Sequence, residues 1–323
     1  MMQPERIRMK TEAAAEEENM EKRDLFMVNL KDAALNLREN GITGAHELIF
    51  LTRYASLAND RRIASALENA LSGGAALKEN AFLAFAYGEY YEYSKNELCP
   101  AAADFILSRL EENSGDGEHG AALMAYARCA AAFGRLEYLE KAVELAGKIS
   151  SSAISPTLSG IAFAALGMAE VFRTTLSKDY LHASETLADV LLRNFRILYS
   201  PDDSYDIEKP CGNSAAGVLF DMLYGYTGSE KWREARERQC AFISKLAEKY
   251  PESVSFGLCS LLADEFGRTR VLCEVPEGEV PKEVQAVLAV YSPNTYITVD
   301  QVPRVGKARF FLLENGEKKE ITI

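Results

Sequence analysis

Apolar and charged stretches alternate along this chain with the spacing of helices rather than of strands. One group of stretches is rich in Ala, Leu, Phe and Tyr and nearly uncharged, which is typical of helices buried on most sides. The other group carries Glu, Lys and Arg and predicts helices that face solvent. The pattern therefore predicts twelve helices in alternation. The buried set covers 44–56, 78–93, 118–133, 157–175, 214–227 and 252–266, and the solvent-facing set covers 24–39, 60–72, 97–112, 137–149, 179–198 and 229–249.

A signature recurs five times in this region: a short polar turn, then a bulky residue followed three positions later by alanine. Residues at this spacing share one helix face, where alanine allows a neighbouring helix to approach closely. The alanines are 35, 41, 41 and 52 residues apart, which is too uneven for a regular solenoid. We therefore predict an all-α fold over residues 24–267, an (α/α)6 toroid of six helical hairpins. The pairs are Ile63/Ala66, Leu98/Ala101, Leu139/Ala142, Tyr180/Ala183 and Trp232/Ala235.

The two ends of the chain follow other patterns. Residues 1–23 are acidic and lack the apolar core of a signal peptide, so we expect a frayed helix there. Residues 268–323 predict a small α/β appendage, with strands at RVLCEV and NTYITVD and a short helix at PKEVQAVLAVYS. The dipeptide Asn315-Gly316 predicts the turn of a final β-hairpin.

Composition restricts the partners and the compartment. A formal net charge of −12 disfavours nucleic acid as a main partner, and no apolar run is long enough to span a membrane. The six cysteines include no C-x-x-C pair and lie mostly on apolar faces, which predicts reduced thiols and a cytoplasmic location. We expect no cofactor and no bound metal, and the sequence is compatible with a homo-oligomer.

Two segments resemble a known family. The run PCGNSAAGVLFDMLYGYTGSEKWREARE (210–237) and the run LKENAFLAFAYGEYYEYS (77–94) are similar to segments of the spermatogenesis-associated, thioredoxin-domain protein family. The resemblance covers roughly residues 77–323 and implies that family's C-terminal toroid, which is similar to six-hairpin glycosidases and N-acylglucosamine 2-epimerases. It therefore implies a carbohydrate-related site. The given sequence shows no thioredoxin-like domain, and Cys211 and Asn80 stand where the family has Ser and Tyr.

The predicted loops indicate where a site would lie. Connections that lead from a solvent-facing helix to a buried helix are the longer ones, and the longest covers 199–212. In alternating antiparallel helices all of these loops are on one face, and long loops on a regular scaffold usually carry binding sites. We therefore expect His46, Glu79, His119, Asp206 and Asn213 to converge on one concavity at the N-termini of the buried helices.

The acidic candidates have competing interpretations. Glu79 begins a buried helix, where a carboxylate favours the helix dipole, and it also aligns with an acidic position of the family, so a role as acid or base is open. Asp202, Asp203 and Asp206 form a D-D-x-x-D pattern that could bind a metal, line a sugar site or be solvated. Because the pattern lies between Pro201 and Pro210, it is not on a helix, as metal-binding versions of it are.

The remaining candidates are histidines, a capping segment and tyrosines. His46 and His119 begin two buried helices and could move a proton at carbon, as paired histidines do in the epimerases; a short, exposed loop histidine is the alternative. Gly212 allows a tight turn, and Asn213 or Ser214 could cap the next helix or line a ligand site. We predict catalytic roles for Glu79, His119 and Asp206, and substrate contacts for His46, Tyr87, Tyr205, Cys211, Asn213 and Ser214.

Two functions follow from these predictions. The first is a carbohydrate-active enzyme: hydrolysis would need two carboxylates about 5–10 Å apart, and epimerisation a base on each face of a carbon. The second is a non-catalytic protein that keeps the toroid as a binding or assembly surface. The missing family motifs favour the second function, and the polar loops favour the first, a site for a small sugar.

Overall fold

The computed structural model describes residues 28–74, 77–113, 119–151, 155–194, 203–276, 284, 292–302, 307–314 and 317–321. This part of the chain is mostly helical, with one small sheet near the C-terminus. Four sequence predictions lie wholly or partly outside the described residues: the frayed segment 1–23, the start of the 199–212 loop with Asp202, most of the short helix in the appendage, and the Asn315-Gly316 turn.

The described helices follow the predicted alternation closely. The long helices are α1 (Leu30–Asn40), α2 (Ala45–Ala58), α3 (Arg61–Asn69), α4 (Ala81–Ser94), α5 (Leu98–Asn113), α6 (His119–Phe133), α7 (Leu136–Ser151), α8 (Leu158–Thr175), α9 (Lys178–Asn194), α10 (Gly212–Thr227) and α11 (Glu230–Ala247). A π-helical turn, Ala70–Gly74, extends α3. The short helices α12 (Ser255–Leu258) and α13 (Leu262–Phe266) come last.

The last predicted helix, 252–266, is broken rather than continuous. Two 3₁₀ turns, Pro251–Val254 and Cys259–Leu261, separate and precede the short helices. The Ser260 carbonyl accepts a hydrogen bond from Arg236 Nη2 at 2.7 Å, and the Ser260 hydroxyl donates to the carbonyl of Gly257 at 2.7 Å. Because side chains satisfy these backbone groups, the segment need not keep regular helical hydrogen bonds.

The even-numbered helices form the buried layer. α2 packs against α4, α4 against α6, α6 against α8, α8 against α10 and α10 against α12, and α12 in turn packs against α2. Small residues allow close approach: a Cβ added to Gly120 of α6 would lie 2.5 Å from the backbone nitrogen of Ala164 in α8. The buried helices therefore contact one another in a closed order, and the odd-numbered long helices are their amphipathic neighbours.

The bulky–alanine signature does not mark one shared environment. Trp232 and Ala235 are both buried, whereas Leu98 and Ala101 are both exposed. Ala142 is buried as expected, but Ala183 is only partly buried, so the prediction that both alanines lie in tight helix contacts is wrong for Ala183. The neighbouring Ser184 takes the buried position and donates to the carbonyl of Ala165 at 2.8 Å.

The sheet comprises β1 (Thr269–Val275), β2 (Thr295–Gln301), β3 (Arg309–Glu314) and β4 (Glu317–Ile321), in the order β2-β1-β3-β4. β2 runs parallel to β1, with Thr295 opposite Thr269, while β3 is antiparallel to β1 and β4 is antiparallel to β3. The apolar side chains of one sheet face form a second small core, which includes Cys273, Val275 and Leu176 from the end of α8. The predicted strands are therefore present.

Candidate functional site

The loop 203–211 contacts the beginnings of several buried helices. Ile207 accepts a hydrogen bond at its carbonyl from His46 of α2 at 2.9 Å, and Glu208 accepts one from Asn80, the N-cap of α4, at 3.3 Å. Asp203 accepts from the backbone nitrogen of Ser159 in α8 at 3.1 Å. The beginnings of α2, α4 and α8 thus meet at one loop.

Asp206 joins two helix beginnings. Its side chain is buried, Oδ1 accepts from the backbone nitrogen of Cys211 at 2.8 Å, and Oδ2 accepts from the backbone nitrogen of Phe256 at 2.9 Å. These donors are free N–H groups at the starts of α10 and α12. Burial raises the pKa of Asp206, against the opposing effects of His46 and of the two N–H groups. The observed role of the carboxylate is to satisfy backbone donors.

His46 uses both ring nitrogens within the protein. It is buried, with Nδ1 2.7 Å from Ser255 Oγ and Nε2 2.9 Å from the carbonyl oxygen of Ile207. Because a carbonyl oxygen only accepts, Nε2 donates to Ile207, while Nδ1 shares a hydrogen bond with the Ser255 hydroxyl. The ring therefore connects the 203–211 loop to the start of α12.

The polar groups of the segment 211–214 also form hydrogen bonds within the protein. Cys211 is the N-cap of α10, and its sulfur accepts from the backbone nitrogen of Ser214 at 3.3 Å. Asn213 Nδ2 donates to the Asp203 carbonyl at 2.9 Å, and Asn213 Oδ1 accepts from Gln239 at 3.2 Å. Burial, reinforced by Asp206, raises the pKa of the Cys211 thiol, which keeps it protonated and a poor nucleophile.

The other predicted site residues occupy different surroundings. Glu79 is exposed and pairs with Arg109 of α5 at 2.6 Å. His119 begins α6 and is half-buried, and in the described part of the chain it makes no hydrogen bond to the His46–Asp206 group. Tyr205 is 49% exposed, and Tyr87 is half-buried with its pKa raised by burial. The structure thus brings His46, Asp206, Cys211, Asn213 and Ser214 together but adds neither Glu79 nor His119 to their hydrogen bonds.

A second group of polar residues lines a narrow cavity between the buried helices and the turn before β2. The cavity volume is about 20 Å³, which is room for about one water molecule. The walls come from α2, α4, α6, α8 and α10, from Cys259, and from Pro293 to Tyr296. Its charged lining residues are Arg53, Glu89, Arg128, Glu170, Arg173 and Asp221. We call this space the charged cavity.

The charged side chains form a buried network around Arg128. Arg53 binds Glu89 through two hydrogen bonds of 3.0 and 2.8 Å. Arg128 Nη2 is 3.0 Å from Glu89 and 2.7 Å from Glu170, and Nη1 donates to Glu92 at 2.8 Å. The Arg128 side chain is only 2% exposed. Breaking such a group leaves an uncompensated buried charge, although the intact group is weak evidence for stability.

Burial and ion pairing shift the pKa values of these groups in opposite directions. Burial raises the pKa of Glu170 and of Glu92 even though Arg128 opposes the shift. Burial lowers the pKa of Arg128, but Glu170, Glu89 and Glu92 together raise it above its ordinary value. Ionisable groups with perturbed pKa values in a cleft are typical of functional sites, and structural ion-pair networks show the same property.

Sequence reasoning missed this cavity although the chain carries a signal for it. Each of the nearly uncharged helices α2, α4, α6, α8 and α10 contains a charged residue well inside its length, at Arg53, Glu89, Arg128, Glu170 and Asp221 respectively. A charge inside an otherwise apolar, buried helix must find a partner on a neighbouring helix. Charges on successive buried helices therefore point to a common interior, away from the loops on which the prediction concentrated.

The described residues form neither a metal-binding cluster nor a membrane-spanning helix. Among the described residues, no three His, Cys, Asp or Glu side chains come close enough together to hold a metal ion. None of the described helices combines the length and the apolar character that crossing a bilayer requires.

Comparison with known proteins gives little direct information. No protein-family model matches the chain, and no curated protein matches it. Among solved structures, a sugar epimerase from a ruminal bacterium is similar, with 12% sequence identity and a TM-score of 0.45. The similarity covers 64% of this chain and 74% of that one. A likeness at this level identifies neither the family nor the activity of the chain.

Proposed function

We propose that this protein is an (α/α)6 toroid whose charged cavity binds a small polar molecule of the carbohydrate class. The closed packing order of α2, α4, α6, α8, α10 and α12 supports the toroid, as does the resemblance of two segments to the spermatogenesis-associated, thioredoxin-domain family. The proposal rests on one observation: charged side chains of neighbouring buried helices converge on a cavity that opens to solvent. Because this cavity holds only about one water molecule, a sugar enters only if the lining side chains move apart.

The lining has the chemistry that a sugar requires. Sugar hydroxyls both donate and accept hydrogen bonds, and the cavity offers guanidinium donors together with carboxylate acceptors. Tyr226 and Tyr296 add aromatic rings, which stack on apolar sugar faces and carry a polar hydroxyl.

Catalysis would require the network to rearrange. Glu89 and Glu170 lie 3.0 and 2.7 Å from the same nitrogen of Arg128, so their bound oxygens are closer than the about 6.5–9.5 Å of an inverting glycosidase pair. Only the about 5–5.5 Å spacing of a retaining pair is compatible with this arrangement. Both are also bound by guanidinium groups, and neither is free to act as acid or base. We therefore propose ligand binding, with hydrolase or epimerase activity only where the ligand displaces Arg128 from one carboxylate.

A non-catalytic binding or assembly protein is the second candidate. The site that the sequence predicted at the beginnings of the buried helices favours this candidate. There Asp206, His46 and Asn213 are buried, and they form hydrogen bonds with backbone and side-chain groups of the protein itself. The predicted catalytic roles of Glu79, His119 and Asp206, and the predicted substrate contacts of His46 and Asn213, remain proposals. The mutants Glu79→Ala and His119→Ala would test the first two.

A thermal-shift screen of neutral, acidic, amino and phosphorylated sugars tests the proposed function. We expect at least one sugar to raise the melting temperature of the wild-type protein and to raise that of Tyr226→Phe less. Tyr250→Phe is the matched control, because Tyr250 is 53% exposed and does not line the cavity. If no sugar shifts the wild-type protein, or if both variants respond like it, the carbohydrate site is not in this cavity.

Product analysis then separates the two candidates. Any sugar that binds is incubated with the protein, and hydrolysis or a change of configuration is followed by NMR. Turnover that Glu170→Gln abolishes supports an enzyme. Binding without turnover supports the non-catalytic protein.

A further inference from the structure

Arg173 differs from the other arginines of the charged cavity because no carboxylate is hydrogen-bonded to it. Its guanidinium lies 3.7 Å from Glu92 and 3.9 Å from Glu170, whereas both glutamates bind Arg128 at 2.7–2.8 Å. Within the described part of the chain, the Arg173 side chain donates no hydrogen bond. Its side chain is 21% exposed and lines the cavity, so its donors are accessible to a ligand.

Tyr226 supplies a second unused donor in the same cavity. The residue is only 5% exposed and packs edge-on against Phe172 and Tyr296, with ring centroids 4.9 and 5.2 Å apart. Its hydroxyl has no hydrogen-bond partner among the residues that the structure describes, while that of Tyr296 is bound to Asp221 at 2.6 Å. A buried hydroxyl normally has a partner, so this one is available to a ligand.

We infer that the ligand carries an anionic group, a carboxylate or a phosphate, which Arg173 and the Tyr226 hydroxyl bind. This inference rests on the proposed function and narrows its ligand to acidic sugars. A guanidinium presents its donors as a fork that matches a carboxylate or a phosphate, and such charged hydrogen bonds are stronger than those to a neutral hydroxyl. A bound anion would give Arg173 the close counter-charge that Arg53 and Arg128 already have.

Glu92 and Glu170, the carboxylates near Arg173, repel an anion bound there only in part. Glu92 and Glu170 are held by Arg128, so their charge is partly compensated before any ligand arrives. Burial also raises the pKa of both groups, which lowers the free energy needed to protonate them when an anion approaches.

Calorimetric titration of the full chain with glucose, glucuronate and glucose 6-phosphate tests the inference. We expect wild-type protein to bind at least one of the two acidic sugars about tenfold or more tightly than glucose, with that preference weakening as salt is added. Arg173→Gln should remove the preference, and Arg173→Lys should keep part of it. Arg62→Gln is the matched control, since Arg62 is exposed on α3 and pairs with Asp60.

The outcomes separate this inference from the proposed function. Equal binding of glucose and the acidic sugars, or a preference that survives Arg173→Gln, overturns the anion site but leaves the sugar site intact. If none of the three sugars binds, the inference is overturned. The thermal-shift screen of many sugars then decides whether the proposed function holds. Tyr226→Phe gives a second measurement should Arg173→Gln fold poorly. It should weaken the acidic sugar at least threefold, and unchanged affinity would contradict the assignment.

Discussion

Tyr296 donates its hydroxyl to Asp221 at 2.6 Å, and this contact joins the sheet to the helices. Tyr296 lies on β2 and Asp221 lies in the middle of α10. The same carboxylate binds Arg268, which precedes β1, and Arg236 of α11 at 2.6 Å. Because Tyr296 and Asp221 also line the charged cavity, the sheet forms part of its wall. The predicted appendage is therefore connected to the candidate site.

Removing the Asp221 charge should destabilise the protein strongly. Asp221→Asn leaves Arg236 and Arg268 without a buried counter-charge, and breaking a buried pair in this way costs about 3–5 kcal/mol. Chemical denaturation gives the free energy of unfolding. Asp264→Asn is the control, because Asp264 also pairs with Arg236 but is 45% exposed, so we expect a loss below about 1 kcal/mol. Equal losses in the two variants would contradict the central role of Asp221.

The same variant should change the pH dependence of stability. Burial tends to raise the pKa of Asp221, but Arg268 and Arg236 hold it below the ordinary value of 3.8. A depressed folded-state pKa means that the stabilisation is present above the ordinary pKa and is lost as pH falls through the folded value. The difference in unfolding free energy between wild type and Asp221→Asn should therefore narrow below about pH 4. A difference that stays constant down to pH 3 would refute this.

Gly225 should be intolerant of any side chain because Tyr296 packs directly on it. A Cβ at this position would lie 2.5 Å from three atoms of the Tyr296 ring. Gly225→Ala should cost about 1–3 kcal/mol by overpacking, despite the better helix propensity of alanine. Gly147→Ala on α7 is the matched control, since nothing lies within 4 Å of its added Cβ, and it should be neutral or stabilising. Denaturation midpoints of the two variants should move in opposite directions.

The fold was largely predictable because burial along this chain follows helical periodicity. Helices such as α8, which is apolar on nearly every side, must lie inside, and the charged helices between them must lie outside. The bulky–alanine signature was less informative, as the exposed Leu98 shows. A spacing of three residues places two side chains on the same helix face, but it does not show which face packs against a neighbouring helix. The 3₁₀ turns before α13 depend on Arg236, which is distant in sequence and could not be foreseen.

The candidate site was predictable only in part. The grouping of His46, Asp206 and Asn213 follows from topology, since alternating helices place their beginnings on one side. What the sequence could not reveal is that backbone N–H groups would occupy both oxygens of Asp206. The charged cavity depends on which residues of neighbouring helices lie opposite each other, such as Glu89 and Arg53, and that depends on packing geometry rather than on local pattern.

Native cysteines should be unreactive, including Cys211. All six cysteines are buried, and burial raises the pKa of Cys99 to about 12 and that of Cys273 to about 11. A thiol must be ionised and accessible to react. Iodoacetamide at pH 8 should therefore label no thiol within minutes in the native protein and should label all six in denaturant, as counted by mass spectrometry. Rapid native labelling of Cys211 would contradict this prediction and would show that its thiol is accessible and reactive.

Replacing Arg128 tests whether the buried network depends on one guanidinium. Arg128→Met leaves Glu89, Glu92 and Glu170 around an apolar side chain, and we expect a loss of about 3–5 kcal/mol at neutral pH. Burial already raises the pKa values of Glu92 and Glu170, and without Arg128 they rise further. The penalty therefore exists above the folded pKa values of these two carboxyls and is relieved as pH falls and they become protonated. The stability gap to wild type should therefore shrink from pH 8 towards pH 5. Arg135→Met, which removes a half-exposed arginine paired with Asp104, should lose little at any of these pH values. A gap for Arg128→Met that is equally large at pH 5 would show that the loss comes from packing, and the electrostatic account of the cavity would then be wrong.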